Sequence, residues 1–306
     1  YLVRLSEGGG DAVFIREFDA ATGSFIPDGF NLGESKQEAF YLDENTVVVS
    51  TDFGENTMTT SGYPRQVKLW ERGTKLESAK LIAEGEETEL GTFGYVLRDD
   101  THSYLFINRM VTFFSGYSYV WLEDKLIKLD IPDDCQTSTL LKGQLVLLLK
   151  SDWEVDGKTY KQGSLVSLNF TELVKGTREI SLIVEPDELS SVASVSSTKN
   201  KLIVSLLTNV KNEIYLYSFS DGLWNKEKVD APDYGSISLV SADEFSDLYF
   251  FIYENFLSPT TLYQADAGLN SAEKLQSLPA FFDAFRFRVE QFKAESSDGT
   301  LIRYFV

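Results

Sequence analysis

Histidine and cysteine are nearly missing from this 306-residue chain, which holds one of each, His102 and Cys135. A single cysteine excludes an intrachain disulfide, which fits a reducing cytosol or a periplasmic protein that needs no bridges. One Cys and one His cannot supply a structural zinc site. Basic residues are also scarce, 28 Lys+Arg against 47 Asp+Glu, for a formal charge of −19. A field of that sign repels phosphate backbones, so no nucleic-acid partner is expected. A solvated acidic surface is the simplest account of the excess; an acidic cavity that draws cationic ligands is the alternative. No apolar run approaches membrane-spanning length, the longest being the strand-sized Gln144–Leu149, and no membrane partner is expected. Residues Tyr1–Arg4 lack the charged-then-apolar layout of a signal peptide, and "YLVRLS" reads as a strand already in progress. The expected compartment is the cytoplasm, or the periplasm if a longer parent carries a signal peptide upstream.

What is abundant is apolar and aromatic content, 43% and 13%, enough to exclude a disordered chain. It is arranged in runs of four to eight residues, such as "DAVFIREFD", "NTVVVSTDF", "RQVKLWERG", "QLVLLLKS", "KLIVSLLTN" and "DLYFFIYEN". β-Branched and aromatic side chains suit a pleated, half-buried surface. Continuously apolar runs like "LVLLLK" predict strands buried on both faces. Asp-Gly at Asp28-Gly29, Asp156-Gly157, Asp221-Gly222 and Asp298-Gly299 gives hairpin signals, because both residues tolerate positive φ. "SAEKLQSL" (Ser271–Leu278) has helix-forming composition but is too short to count on. The fold class is all-β.

So many short strands need a way to avoid edges, and open sheets seldom exceed about ten strands, so radial repetition is the natural solution. A loose repeat is visible. Units open near Lys36, at Thr88, at Cys135, at Leu189 and at Gly235, the last running to Ser277. Their first two strands are joined by polar elbows of one kind, "LDENT", "RDDTHS", "STKNK" and "ADEFSD". A pair of β-sandwiches would explain the composition but not the period. The pattern predicts a β-propeller of four-stranded antiparallel blades, about six represented here, with an incomplete first unit in Tyr1–Phe30.

Little in the chain points to chemistry. The nucleophile elbow G-x-S-x-G does not occur. His102 lies in a polar elbow and reads as a surface turn residue rather than a base. Cys135 has no histidine near it in sequence and reads as a packed thiol rather than a nucleophile. Asp52-Phe53-Gly54 spells a kinase metal-binding tripeptide without the loops that accompany it. Gly8-Gly9-Gly10 lacks the helix that a phosphate-cradling loop requires and reads as a hairpin turn. The acidic turns have no EF-hand spacing, and solvated carboxylates are the better account. The sequon Asn169-Phe170-Thr171 matters only in a eukaryotic secretory protein. The rings of "FFSGYSYVW" (Phe113–Trp121) suit interblade packing, with a tunnel or interface role as the alternative. No catalytic, cofactor-binding or metal-ligating residue is assigned.

Two stretches carry a family resemblance. "LSEGGGDAVFIREFDAATGSFIPDGFNL" (Leu5–Leu32) with "YLDENTVVVSTDFGENTMTTSGYPRQVKLWERGT" (Tyr41–Thr74) resembles the propeller domain of the prolyl oligopeptidase family. "VEQFKAESSDGTLIRYFV" at the end of the chain resembles the first hairpin of that family's α/β-hydrolase peptidase domain. The resemblance implies a seven-bladed propeller capping a Ser-Asp-His hydrolase and restricting it to short peptides, typically cut after proline. It also implies two segments here: 1–285, a propeller truncated in its first blade, and 286–306, the opening hairpin of a peptidase domain that this chain lacks. The expected function is substrate gating for a serine oligopeptidase, with the chain alone inactive. The expected partners are that peptidase domain and short peptides. The alternative is a free-standing propeller that binds another protein. On the gating reading, the surface toward the peptidase should be unusually apolar.

Overall fold

The computed structural model describes residues 1–99, 102–231 and 235–306. Strands dominate, and 24 of the 28 strands fall into six antiparallel sheets taken in order along the chain. The first holds β1 (Leu2–Leu5), β2 (Val13–Asp19), β3 (Ser24–Phe25) and β4 (Asn31–Ser35). The second holds β5 (Glu38–Tyr41), β6 (Thr46–Ser50), β7 (Gln66–Glu71) and β8 (Lys80–Glu84). The third holds β9 (Gly91–Asp99), β10 (His102–Met110), β11 (Gly116–Leu122) and β12 (Lys125–Lys128). The fourth holds β13 (Gln136–Leu141), β14 (Gln144–Leu148), β17 (Leu165–Asn169) and β18 (Ile180–Val184). It carries an inserted hairpin, β15 (Trp153–Val155) with β16 (Lys158–Tyr160), and the short helix α1 (Phe170–Val174). The fifth holds β19 (Ser190–Ser197), β20 (Leu202–Thr208), β21 (Lys211–Ser220) and β22 (Leu223–Lys228). The sixth holds β23 (Ser236–Ala242), β24 (Leu248–Glu254), β25 (Thr261–Asp266) and β26 (Ser271–Ser277). A separate two-stranded sheet, β27 (Gln291–Glu295) with β28 (Leu301–Phe305), follows.

Such a series of four-stranded antiparallel meanders is a set of β-propeller blades, as the repeat predicted. The first differs from the rest. Both β3 and β4 pair with β2, at Phe18–Asp19 and at Val13–Arg16, so this sheet is only three strands wide.

The chain divides into two compact units, Tyr1–Cys135 with Thr171–Arg178, and Gln136–Phe170 with Glu179–Val306. In the first unit, Ile15, Phe30 and Leu32 pack with Val47, Val49 and Trp70, joining the first sheet to the second. Val48 and Val67 pack with Leu105 and Ile107, joining the second to the third. The close fit explains Gly94, whose missing Cβ would stand 2.4 Å from Val48 Cγ1. In the second unit, Leu141, Val146 and Leu165 pack with Leu202 and Val204. Ile203, Ile214 and Leu216 pack with Tyr249 and Phe251. The central strands are buried on both faces, as their continuous apolar runs predicted. Each fully buried leucine contributes about 1.5–3 kcal/mol.

Polar groups tie neighbouring sheets as well. In the first unit the Glu17 carboxylate accepts from Arg72 Nη1 and Nη2, both at 2.8 Å, from Tyr41 Oη at 2.6 Å and from the Phe30 amide at 3.0 Å. Gly29 lies under it, and a Cβ there would meet Glu17 Oε2 at 2.6 Å. In the second unit Asp247 accepts from Thr198 Oγ1 at 2.8 Å and from Asn200 N and Nδ2 at 3.0 and 2.9 Å.

Several local expectations are corrected. Neither Asp28 nor Gly29 has positive φ, so this pair is not a hairpin turn; the glycine serves the close approach to Glu17. At Asp298-Gly299 only Gly299 is left-handed, and the Ser296 amide donates to Thr300 O at 2.9 Å across a longer loop. Ser271–Ser277, whose helix-forming composition is too short to count on, is strand β26 as the all-β reading requires, with six residue pairs bonding it to β25. The helix α1 is the one α-helix among the described residues, on the segment read only as a sequon.

Candidate docking surface

In an antiparallel meander successive turns alternate between the two ends of the sheet. The ends differ chemically. Elbows joining first to second strands in the second and sixth sheets carry carboxylates that bond within their own turn. Asp43 Oδ1 accepts from the Asn45 amide at 2.8 Å. Asp243 accepts from the Phe245 amide at 2.9 Å and from Ser246 Oγ at 2.6 Å, which holds its carboxyl below the usual range. Phe245, 69% exposed, is apolar at that end, as are the exposed Leu223 and Leu269 in the third-to-fourth-strand turns of the fifth and sixth sheets. The elbow at 98–103 lies partly outside the described residues.

Turns joining second to third strands expose phenylalanines in the third and sixth sheets. In the third sheet Phe113 and Phe114 are 72% and 87% exposed. Their turn is rigid: Thr112 Oγ1 accepts from the amides of Phe114 and Ser115, both at 3.1 Å. The aromatic run therefore divides. Tyr119 and Trp121 pack against the core between the second and third sheets, whereas the two phenylalanines stand out.

In the sixth sheet Asn255 Oδ1 accepts from the amides of Leu257 and Ser258 at 2.9 and 2.6 Å, an Asx turn that thrusts Phe256 outward. Below it β26 ends, and the Leu278 amide donates to Thr260 O at 3.0 Å. The chain then runs through "LPAFFDAFRFRV" into β27. Asp283 accepts from the Phe285 amide at 3.1 Å, and Phe282 meets Phe287 edge-on at 5.9 Å. Phe281, Phe285 and Phe287 remain exposed. With Val210, Phe256 and Phe305, this segment borders an apolar cavity of about 480 Å³.

The residues singled out as chemical candidates are scattered. His102 begins β10 with an exposed side chain, its ring 6.1 Å from that of Tyr104. Burial, and then Asp134 beside it, pushes the Cys135 thiol up to about 12, which leaves no thiolate at neutral pH. Asp52 Oδ1 accepts from the Gly54 amide at 2.8 Å, and Lys68 Nζ sits 4.0 Å from the centre of the Phe53 ring. Gly8 and Gly9 are both left-handed in the β1–β2 turn. Asn169 ends β17 and its amide donates to Glu179 O.

Perturbed carboxylates mark many active sites. Here the strongest, Glu17, is held down to about 2 by the Arg72 guanidinium, against the opposing effect of burial. Its hydrogen bonds come from Arg72, Tyr41 and the Phe30 amide, donors that join the first two sheets. Long-range pairing with Arg72, across 55 positions, gave no local signal by which sequence reasoning could have found it. Among the described residues no group of three or more His, Cys, Asp or Glu could hold a metal ion, and no helix is long and apolar enough to cross a membrane. What each unit offers is exposed apolar side chains for contact.

Known proteins agree on the kind of molecule this is. The family model for the prolyl oligopeptidase N-terminal beta-propeller domain matches residues 2–277, well beyond Leu5–Leu32 and Tyr41–Thr74. An uncharacterized peptidase of Sinorhizobium fredii is 35% identical over 318 residues, covering 100% of this chain and 43% of the relative. One of Rickettsia prowazekii is 26% identical, with 100% and 45% covered. The solved structure of a post-proline cleaving enzyme from Rickettsia typhi superposes with a TM-score of 0.88 at 26% identity, over 100% of this chain and 47% of that one. The chain thus spans less than half the length of the relatives it matches, and it belongs to the prolyl oligopeptidase family of N-terminal β-propeller domains.

Proposed function

We propose that this propeller gates a serine oligopeptidase. It docks on a peptidase domain of the same polypeptide through its second-to-third-strand ends and admits short peptides while excluding folded proteins. The observation that carries this reading is the composition of residues 278–306. They hold six phenylalanines and equal numbers of acidic and basic residues, four of each, so the whole −19 lies in the blades. An exposed, charge-balanced, phenylalanine-rich stretch is the surface expected to meet another domain.

Residues 286–306 are, on this proposal, the opening hairpin of that domain. Two observations support it: β27 and β28 pair only with each other, and they lie beyond the residues matched by the propeller family model. The substrate class we assign is short peptides cut after proline, as the name of the Rickettsia typhi enzyme describes for that protein.

The test begins with the coding sequence past Val306, which should carry G-x-S-x-G and later an Asp and a His. A polypeptide spanning both parts should cleave a short proline-containing peptide and spare the same sequence inside a folded protein, while residues 1–306 alone cleave neither. Equal cleavage of both substrates, or a stop codon after Val306, overturns the proposal; the latter result would favour a free-standing binding module.

A further inference from the structure

Among the described residues five two-residue turns have both central residues left-handed: Glu123-Asp124, Lys142-Gly143, Asp156-Gly157, Asn209-Val210 and Asp221-Gly222. That backbone matches the twist of the flanking strands and favours Asn, Asp and Gly. Four of the turns comply at the second position. The exception is Val210, at φ 67°. A β-branched residue in this region is a true backbone outlier, and such strain persists only where the surroundings compensate for it. The sheet does not ask for valine here: the Thr208–Lys211 pair that closes the turn would be served by glycine.

The compensation lies outside the blade. Val210 borders the same apolar cavity as Phe256 and Phe305, the last a residue of β28. Its neighbour Asn209 accepts, at its backbone carbonyl, a hydrogen bond of 2.7 Å from Gln291 Nε2, 82 positions away in β27. The side-chain Oδ1 of Asn209 is buried there with no partner. Beside it the rings of Phe256 and Phe305 meet at 6.0 Å. Turns of two sheets thus hold the hairpin through one neutral hydrogen bond, one ring contact and a shared apolar wall.

We propose that Asn209-Val210 is a docking peg for the β27–β28 hairpin. Valine is kept against the preference of the turn because its side chain, though 56% exposed, lines the cavity that Phe305 also borders, and the Asn209 carbonyl anchors Gln291. The hairpin is then a detachable unit that leaves the blade ends without melting the blades. The inference concerns contacts within this chain and stands apart from the gating role.

Native-state hydrogen exchange on the 306-residue chain tests it, in V210G, V210N, Q291A and the V210G/Q291A double variant. Glycine and asparagine both suit the left-handed turn, so V210G and V210N should keep or raise the thermal midpoint. In both, the amides of β27 and β28 should exchange about tenfold faster while Tyr215 and Leu216 in β21 stay protected. Q291A should accelerate the same amides, and the double variant should add little to either single change, as expected for parts of one contact. Wild-type hairpin exchange in V210G and V210N would overturn the peg, as would strictly additive effects. Loss of β21 protection in both variants would make Val210 a blade residue and overturn it equally.

Discussion

Apolar side chains meet opposite fates in the two parts of this molecule. In β14 Leu145, Val146 and Leu147 are fully buried, whereas beyond β26 Phe281 and Phe285 are 79% and 95% exposed. The blades carry the acidic excess on their elbows and spend their apolar residues on each other. Residues 278–306 carry no net charge and leave most of their rings in solvent. The difference separates blades whose central strands bury their apolar side chains on one another from a terminal segment that leaves most of its rings exposed.

The sharpest way to break this contrast is to truncate one residue in each part. Leu147→Ala should cost about 2–5 kcal/mol, the loss of buried contacts plus a cavity, read as a lower urea midpoint. Phe285→Ser should move the same midpoint by less than about 0.5 kcal/mol. A comparable loss from both would mean that the terminal segment is core.

Next in size is the ion pair between the first two sheets. Glu17→Gln should cost about 1–3 kcal/mol at neutral pH, because the buried carboxylate loses its charge opposite the partly exposed Arg72 guanidinium. The sign follows from the depressed carboxyl, near 2 in the folded chain. The contribution is present in full above the ordinary carboxylate range and is lost as the pH falls from there toward 2. Denaturant titrations of wild type and variant should therefore converge in acid. A gap that stays constant down to about pH 2 would contradict the assignment.

Much of the fold was legible because it follows from local chemistry. β-Branched runs such as Val47–Val49 are strands buried on both faces, and Asp156-Gly157 and Asp221-Gly222 are the tight turns that their residues favour. What escaped depends on distant partners or breaks a local rule. Gly29 is needed under Glu17 rather than in a turn, and Ser271–Ser277 is a strand because β25 offers it a ladder. Val210 carries no turn signal at all. Which apolar residues stand exposed was not legible, because that depends on which end of each sheet a turn occupies.

Two smaller effects sharpen the contrast between the ends of the blades. Phe281→Ser with Phe285→Ser should reduce concentration-dependent self-association in light scattering while leaving the thermal midpoint nearly unchanged. His102→Asn, at the opposite end of its sheet from Phe113, should alter neither association nor stability beyond about 0.5 kcal/mol. Association unchanged by the phenylalanine substitutions would remove the reason to call that surface adhesive.

The central claim, that the second-to-third-strand ends and residues 278–306 meet a peptidase domain, is tested most directly by hydroxyl-radical footprinting. The chain would be compared alone and joined to the polypeptide that follows it in its parent. Oxidation of Phe256, Phe281 and Phe285 should fall sharply on joining, while Phe245 on the opposite elbow of the sixth sheet stays as reactive as before. Equal oxidation of the three phenylalanines in both forms would contradict the account.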